Sequence, residues 1–243
     1  MKKVKVADKI SFGVFLIIFG LSVVALINSL VLLNWFKISM ASVALVLYFI
    51  PFLAQKFLKI QLSTILKIVY FLFIFAALIL GEVFAFYGPF PFWDIVLHVL
   101  SGFVLAGIGF SLIEIVARGK QPRGLMLLFA FCFSVTAGIL WECVEFSFDM
   151  MVRTDAQKDA HVRQISTITL QRDGGNQPVK LNDIEKTEIY LADGEIVTIE
   201  DGFLDIGLMD TMKDIFVNFA GAGMFIVVGA VWTKGKLKFI TST

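Results

Sequence analysis

The chain has 243 residues, of which 58% are hydrophobic, and its mean hydropathy is +0.86. This composition excludes an ordinary water-soluble domain, and a net charge of +1 without a basic patch argues against a nucleic-acid partner. The charged residues, 17% of the chain, lie between apolar runs long enough to cross a hydrocarbon layer of about 30 Å. We therefore expect an all-α protein that is integral to a lipid bilayer.

Six apolar runs predict six transmembrane helices. These lie at 11–35, 38–55, 64–87, 94–117, 125–151 and 209–233. Pro51 interrupts the second run, which a membrane helix tolerates when neighbouring groups satisfy the freed carbonyl. The first run follows a basic N-terminus but is too long for a signal peptide and has no small-residue cleavage site, so we expect it to be retained. Cys132 and Cys143 are about 16 Å apart on one helix, which excludes a disulfide between them and favours two buried apolar side chains.

The segment 152–208 is the only sizeable polar stretch, with eleven acidic and six basic residues. Turn signals occur at Asp173-Gly174-Gly175-Asn176 and at Asp193-Gly194, and the second is flanked by alternating apolar residues, the pattern of a β-hairpin. The run 164–170 is typical of another strand. We expect a small extracytoplasmic β-rich insertion between helices five and six, dividing the chain into 1–151, 152–208 and 209–243.

Basic residues in the short connections predict the orientation, because cytoplasmic loops of membrane proteins carry an excess of lysine and arginine. Thirteen such residues fall on one set of helix ends, and only Lys37 falls on the other. The thirteen are Lys2, Lys3, Lys5, Lys9, Lys56, Lys59, Lys67, Arg118, Lys120, Arg123, Lys234, Lys236 and Lys238. Both termini are therefore expected in the cytoplasm. Trp35, Tyr87 and Trp93 fit an outer aromatic belt, and Trp232 fits the inner one.

Three predicted helices carry polar residues on one face and at one depth, close to their outer ends. The residues are Asp94 and His98 on helix four, Glu142, Glu145 and Asp149 on helix five, and Asp210, Asp214 and Asn218 on helix six. The spacings i, i+3 and i, i+4 put each set on one side of its helix. Ionisable groups inside a membrane are costly, so their agreement predicts one shared site. Glu82, near the outer end of helix three, is a supporting member.

Such a concentration of carboxylates is not stable as a group of anions at low dielectric, because desolvation and mutual repulsion raise their pKa values. A divalent cation removes the problem, and carboxylates with an imidazole suit Zn, Mn, Mg or Fe. The expected metal ligands are Asp94, His98, Glu142, Glu145, Asp210 and Asp214, with Asn218, Glu82 and Asp149 in support. Glu142, Glu145 and His98 are the candidate catalytic groups. The competing interpretation is a network of protonated carboxylates that ties the helices together.

The order of these motifs resembles a known group of proteins. Asp94-x-x-x-His98-x-x-Ser101-Gly102, Trp141-Glu142-x-x-Glu145-Phe146 and Asp210-Thr211-x-x-Asp214-x-x-x-Asn218-x-x-Gly221-Ala222 resemble the YjdF-like membrane proteins and, more loosely, the VanZ-like proteins. The resemblance covers roughly 80–233 without the polar segment. It implies a multi-pass protein of the bacterial plasma membrane. VanZ-like proteins are associated with glycopeptide resistance, but the compact VanZ-like pattern has no counterpart of the segment 152–208.

Three classes of function are compatible with these residues. The first is a metal-dependent hydrolase or transferase that acts on a lipid-linked or cell-envelope substrate. The second is a proton- or cation-coupled transporter, although the polar residues are confined to the outer half of the helices and no inverted repeat is apparent. The third is a non-catalytic sensor, assembly factor or immunity protein, in which the carboxylates only hold helices together.

Overall fold

The structure is a computed structural model that describes residues 6–117, 121–172, 174–231 and 240–242. Part of the sequence-based prediction falls outside these ranges. It comprises the basic residues Lys2, Lys3, Lys5, Arg118, Lys120, Lys234, Lys236 and Lys238, together with Trp232, Asp173 and the last two residues of the sixth predicted helix.

Helices account for most of the described residues. They are α1 (Val6–Val31), α2 (Trp35–Leu47), α3 (Ile50–Leu58), α4 (Thr64–Ile74), a π-helix (Phe75–Val83), α5 (Trp93–Val116), α6 (Arg123–Val152) and α7 (Leu208–Val231). They form six spans that are long and apolar enough to cross a membrane, because α2 with α3, and α4 with the π-helix, each make one stretch. The predicted all-α membrane fold with six helices is confirmed.

Large apolar side chains cover the outer surface of these helices. Ile17 on α1 is 67% exposed and Val227 on α7 is 65% exposed. The residues three and four positions away from each of them, on the same helix face, are also non-polar. Exposure of this kind is unfavourable in water and favourable in hydrocarbon. The surface therefore agrees with spans that lie in lipid rather than in a soluble core.

Two of the spans depart from regular α-helix. The second breaks between α2 and α3, where Pro51 occupies the first turn of α3 and cannot donate a main-chain hydrogen bond. The third changes from α4 to the π-helix at Phe75, so that its main-chain hydrogen-bond pattern shifts from i+4 to i+5. The indole Nε1 of Trp93, at the start of α5, donates to the carbonyl oxygen of Ala76 at 3.1 Å and so supports the π-helix from outside.

The buried apolar side chains form two clusters. The first joins α1, α2, α4 and the π-helix around Phe71 and Tyr48, both without exposed surface. Within it, the hydroxyls of Ser22 and Tyr48 lie 3.0 Å apart, so neither buried hydroxyl lacks a hydrogen bond. The second cluster joins α4, α5, α6 and α7 around Phe225 and three buried alanines. Small residues in this second cluster allow close packing of α5, α6 and α7.

The segment between α6 and α7 carries short antiparallel strands, as predicted. The strands are β2 (His161–Val162), β3 (Ile165–Thr167), β4 (Val179–Leu181), β5 (Lys186–Tyr190), β6 (Ile196–Glu200) and β7 (Phe203–Leu204). The hairpin of β5 and β6 pairs Tyr190 with Ile196 across the Asp193-Gly194 turn, where Gly194 has a φ of +90°. β3 pairs with β4 and β2 with β7. A further pair joins β1 (Ile60–Leu62), after α3, to β8 (Ile240–Ser242).

The two cysteines correct one expectation. Cys132 and Cys143 are free thiols, as predicted, but both are exposed on the surface of α6 rather than buried. In a soluble protein, a small apolar side chain of this kind is usually buried away from water. On a membrane helix the lipid already supplies an apolar environment, so burial within the protein is not required.

Candidate metal centre

The first turns of α5 contribute two ionisable side chains. Asp94 is the second residue of the helix, where the partial positive charge of the N-terminus favours a carboxylate. His98 follows one turn later, and its Nε2 lies 3.5 Å from Oδ1 of Asp94. Both side chains are largely shielded, with exposed fractions of 13% for His98 and 15% for Asp94. The spacing i, i+4 has thus brought an imidazole and a carboxylate together on one face of α5.

Below this pair, α5 meets α7 with direct main-chain contact. A Cβ atom on Gly102 would overlap the carbonyl oxygen of Asn218, and one on Gly221 would overlap the carbonyl oxygen of Val99. Two glycines, one on each helix, therefore set the distance between the two helix axes. The hydroxyl of Ser134 on α6 donates to the carbonyl oxygen of Gly102 at 2.8 Å and fixes a third helix at the same level.

This close pairing is accompanied by a third ionisable side chain near the first two. One helical turn before Gly102 on α5 is His98, and one turn before Asn218 on α7 is Asp214, which is only 2% exposed. One ligand atom from each of Asp94, His98 and Asp214 lies within 4.8 Å of the other two. A cation at about 2.0–2.5 Å from each ligand atom keeps such atoms within about 5 Å of one another. The geometry fits a metal site of two carboxylates and one imidazole.

The chemistry of these three residues also fits a divalent cation. Two carboxylates at low dielectric repel each other and lose hydration, so ionisation of both requires a compensating positive charge. Carboxylate oxygens with an imidazole nitrogen form a ligand set that Mg, Mn, Fe and Zn all accept, and three protein ligands leave positions for water or substrate. The arrangement can therefore hold an ion whose remaining coordination positions are open to water or substrate.

A lysine that the sequence-based prediction left out lies beside the cluster. Nζ of Lys213 is 2.5 Å from Oδ1 of Asp210 and 3.5 Å from Oδ1 of Asp214. Asp210 also accepts a hydrogen bond from the main-chain N–H of Lys158 at 3.1 Å, so it has an ion-pairing and loop-anchoring role outside the three-residue cluster. The sequence contained a signal for this contact. Lys213 is three residues after Asp210, a spacing that brings side chains together on a helix, and it directly precedes Asp214.

The predicted α6 residues have three different environments. Glu142 is buried, with 5% of its surface exposed. Glu145 is half-buried and accepts a hydrogen bond from the indole of Trp141 at 2.8 Å. Asp149 accepts from the main-chain N–H groups of Ala156 and Gln157 at 2.7 and 2.8 Å, and thus holds the loop after α6. None of the three belongs to the three-residue cluster found among the described residues.

The two remaining supporting residues also lie outside that cluster. Glu82 is half-buried on the π-helix. Asn218 is 2% exposed and lies one turn after Asp214 on α7, with its Nδ2 donating to the hydroxyl of Ser101 at 3.4 Å. Of the nine residues that the sequence singled out, the cluster thus contains Asp94, His98 and Asp214, and Asp210 and Asn218 each lie four residues from Asp214 along α7.

Six apolar spans with an acidic and histidine cluster define a multi-pass membrane protein with a candidate cation site. The chain belongs to the family described as "Predicted membrane protein (DUF2238)", whose model matches residues 10–235 and so includes the strands between α6 and α7. The YjdF-like and VanZ-like resemblance stays a prediction.

A protein of Thermotoga maritima, described as uncharacterized, is 26% identical to this chain over 104 residues. The matching part is 43% of this chain and 54% of that relative, so the similarity spans about half of the relative's length. No solved structure matches the chain.

Proposed function

We propose that Asp94, His98 and Asp214 bind a divalent cation in a multi-pass protein of the bacterial plasma membrane, and that this centre supports hydrolysis or group transfer on a lipid-linked or cell-envelope substrate. The observation that carries the proposal is the convergence of ligand atoms from two helices within 4.8 Å. Zn, Mn, Mg and Fe all suit this set of oxygen and nitrogen donors. A bound cation would supply a Lewis acid and activate a water molecule.

The depth of the cluster supports a substrate at the membrane surface. His98 is the sixth residue of α5 and Asp214 the seventh of α7, so each lies about 8–9 Å along its helix from the first residue. The headgroup region is about 5–8 Å thick on each side of the hydrocarbon, so helices that begin at the outer membrane surface put the cluster near the base of that region. The basic residues at the opposite helix ends favour a cytoplasmic location for those ends and an outward-facing site. A substrate of the cell envelope would reach the site from that side.

Metal analysis of the detergent-purified protein tests the proposal, with the two histidines as a matched pair. We expect about one equivalent of Zn or Mn per chain after reconstitution, as for a single three-ligand site. His98→Ala should lose at least about tenfold in metal affinity because it removes a ligand. His161→Ala should bind metal as the wild type does, because His161 is exposed on β2. A wild-type protein that takes up none of the four metals contradicts the proposal.

The contacts of Lys213 favour a second candidate, a non-catalytic role for the same carboxylates. Its ammonium group lies near both Asp210 and Asp214 and can balance their charge without a metal. In that case Asp214→Asn lowers the Tm of the metal-free protein, and neither the wild type nor the variant binds metal. If the metal centre exists, the same substitution lowers metal affinity and removes the stabilisation that added metal gives.

A further inference from the structure

The side chain of Asn218 is a buried amide within the packing of three helices. Its Nδ2 donates to the hydroxyl of Ser101 on α5, and that hydroxyl donates to the main-chain oxygen of His98 at 2.9 Å. On the α6 side, a Cβ atom on Gly138 would lie 2.8 Å from Cγ and Oδ1 of Asn218, which is too close for a side chain. Glycine at 138 therefore leaves room for this amide, one turn from the cluster ligands.

The oxygen of this amide has no hydrogen-bond donor among the residues that the structure describes. Oδ1 of Asn218 has less than 1 Å² of exposed surface and no partner there. A buried carbonyl oxygen without a donor is unfavourable, and native proteins usually satisfy it with protein groups or ordered water. Exchanging the amide oxygen and nitrogen does not remove the problem, since Nδ2 would then lack an acceptor. Oδ1 of Asn218 therefore requires a hydrogen-bond donor from outside these residues.

We propose that Asn218 is a positioning residue of the cation site, and that its Oδ1 accepts a hydrogen bond from a water molecule bound to the cation. The inference rests on the proposed function. Asn218 lies four residues after Asp214, so the two side chains are on one face of α7 and one turn apart. A carboxamide also serves the site better than a third carboxylate, because it accepts a hydrogen bond without adding a negative charge.

Distances favour a water molecule over direct coordination by Asn218. One helical turn is about 5.4 Å. A metal–oxygen distance of about 2.1 Å and a hydrogen bond of about 2.8 Å together span about 5 Å. The donor contact to Ser101 keeps the amide at the level of Gly102, one turn from His98 and Asp214. A water molecule bound to the cation therefore spans the distance between the cation and the amide oxygen, which is too long for direct coordination by Asn218.

Asn218→Leu tests this role, because leucine has a similar size and no acceptor. We expect Mn affinity to fall by about 10–100-fold, as when other partners that hold metal ligands are removed. The metal-free Tm should stay within a few degrees of the wild type or rise, since the substitution removes an unsatisfied buried amide. The number of water molecules on bound Mn, counted by electron spin-echo spectroscopy in deuterated water, should decrease or change in distance.

Ser134→Ala is the matched control, because it removes a buried hydroxyl that bonds α6 to Gly102 at the same level. It should lower the Tm and leave Mn affinity and the water signal unchanged. Asn218→Ala provides the same readouts if the leucine variant does not fold. Unchanged Mn affinity and water signal in the Asn218 variants overturn this inference and leave the metal centre intact. A wild-type protein without Mn binding overturns both proposals.

Discussion

Carboxylates near the helix ends differ in the donors that surround them. Asp205, before α7, accepts from the main-chain N–H groups of Ala160, Gly207 and Met209, and Asp149 similarly holds the loop after α6. Such carboxylates are satisfied by main-chain donors and have a structural role. Asp214 is buried on α7, and the Nζ of Lys213 lies 3.5 Å from its Oδ1. The residue type is the same in both groups, and the surrounding donors distinguish a carboxylate that anchors a loop from one that is a candidate metal ligand.

Asp159 offers a test of the electrostatics of the polar segment. Burial raises the pKa of its carboxyl above the usual value, and the negative charges of Asp155 and Asp205 raise that pKa further. A pKa raised in the folded state means that stability is present at low pH and is lost as the pH rises through that pKa. Asp159→Asn should therefore raise the stability at pH 7 by up to about 0.5 kcal/mol, a small effect because the side chain is exposed.

Thermal unfolding measures the effect of Asp159→Asn as a rise in Tm of about 1–2 °C at pH 7. The gain should shrink towards pH 3, where the wild-type carboxyl is protonated. Glu195→Gln is the control, because it changes the net charge by the same amount at an exposed site on the Asp193-Gly194 turn. A gain that is equal for the two variants, or one that grows at low pH, contradicts the assignment.

At the scale of elements, hydropathy predicts where a span lies but not how its main chain is bonded. The run 64–87 appeared as one helix, and the structure divides it into α4 and a π-helix that ends at Val83. An uninterrupted apolar run is compatible with either form, so hydropathy does not distinguish a nine-residue π-helix from an α-helix. Pro51, in contrast, marked the break after α2, because a missing N–H is a property of the residue itself.

The close contact of α5 and α7 gives a prediction at this scale. Gly221→Ala should destabilise the protein by about 1–3 kcal/mol, since its Cβ would overlap the carbonyl oxygen of Val99 and push the helices apart. The separation should also lower metal affinity by at least about tenfold, because a misplaced ligand weakens a metal site. Tm and Mn affinity of the purified variants are the measurements.

Gly223→Ala, two residues further along α7, is the control for Gly221→Ala. Among the residues that the structure describes, no atom outside the adjacent backbone of α7 lies within 4 Å of a Cβ at Gly223, so this change should leave both the Tm and Mn affinity near the wild-type values. Equal effects of the two substitutions would mean that glycine in α7 matters for its flexibility rather than for the contact with α5.

At the scale of the whole molecule, local pairings could be predicted and distant ones could not. The β5–β6 hairpin is encoded within fifteen residues by alternating apolar residues and an Asp-Gly turn. The pairs β2–β7 and β1–β8 join strands that are far apart in the sequence and only two or three residues long. No local sequence signal specifies which of these strands pair with each other. The cluster of Asp94, His98 and Asp214 also depends on distant contacts. The common depth of the helices predicted its three members, but together with Glu142, Glu145 and Asp210, which lie outside it.

The orientation in the membrane can be tested by labelling single cysteines. An even number of spans puts both ends of the helical part on one side, and the excess of basic residues there predicts the cytoplasmic side. With Cys132 and Cys143 changed to alanine, Thr169→Cys in the polar segment should react with a membrane-impermeant maleimide in intact cells. Gln61→Cys, after α3, should react only once the membrane is permeabilised, because it lies at the other end of the spans. Both side chains are exposed, so accessibility within the protein does not limit the reaction. The reverse pattern would turn the proposed site towards the cytoplasm and exclude an extracytoplasmic substrate.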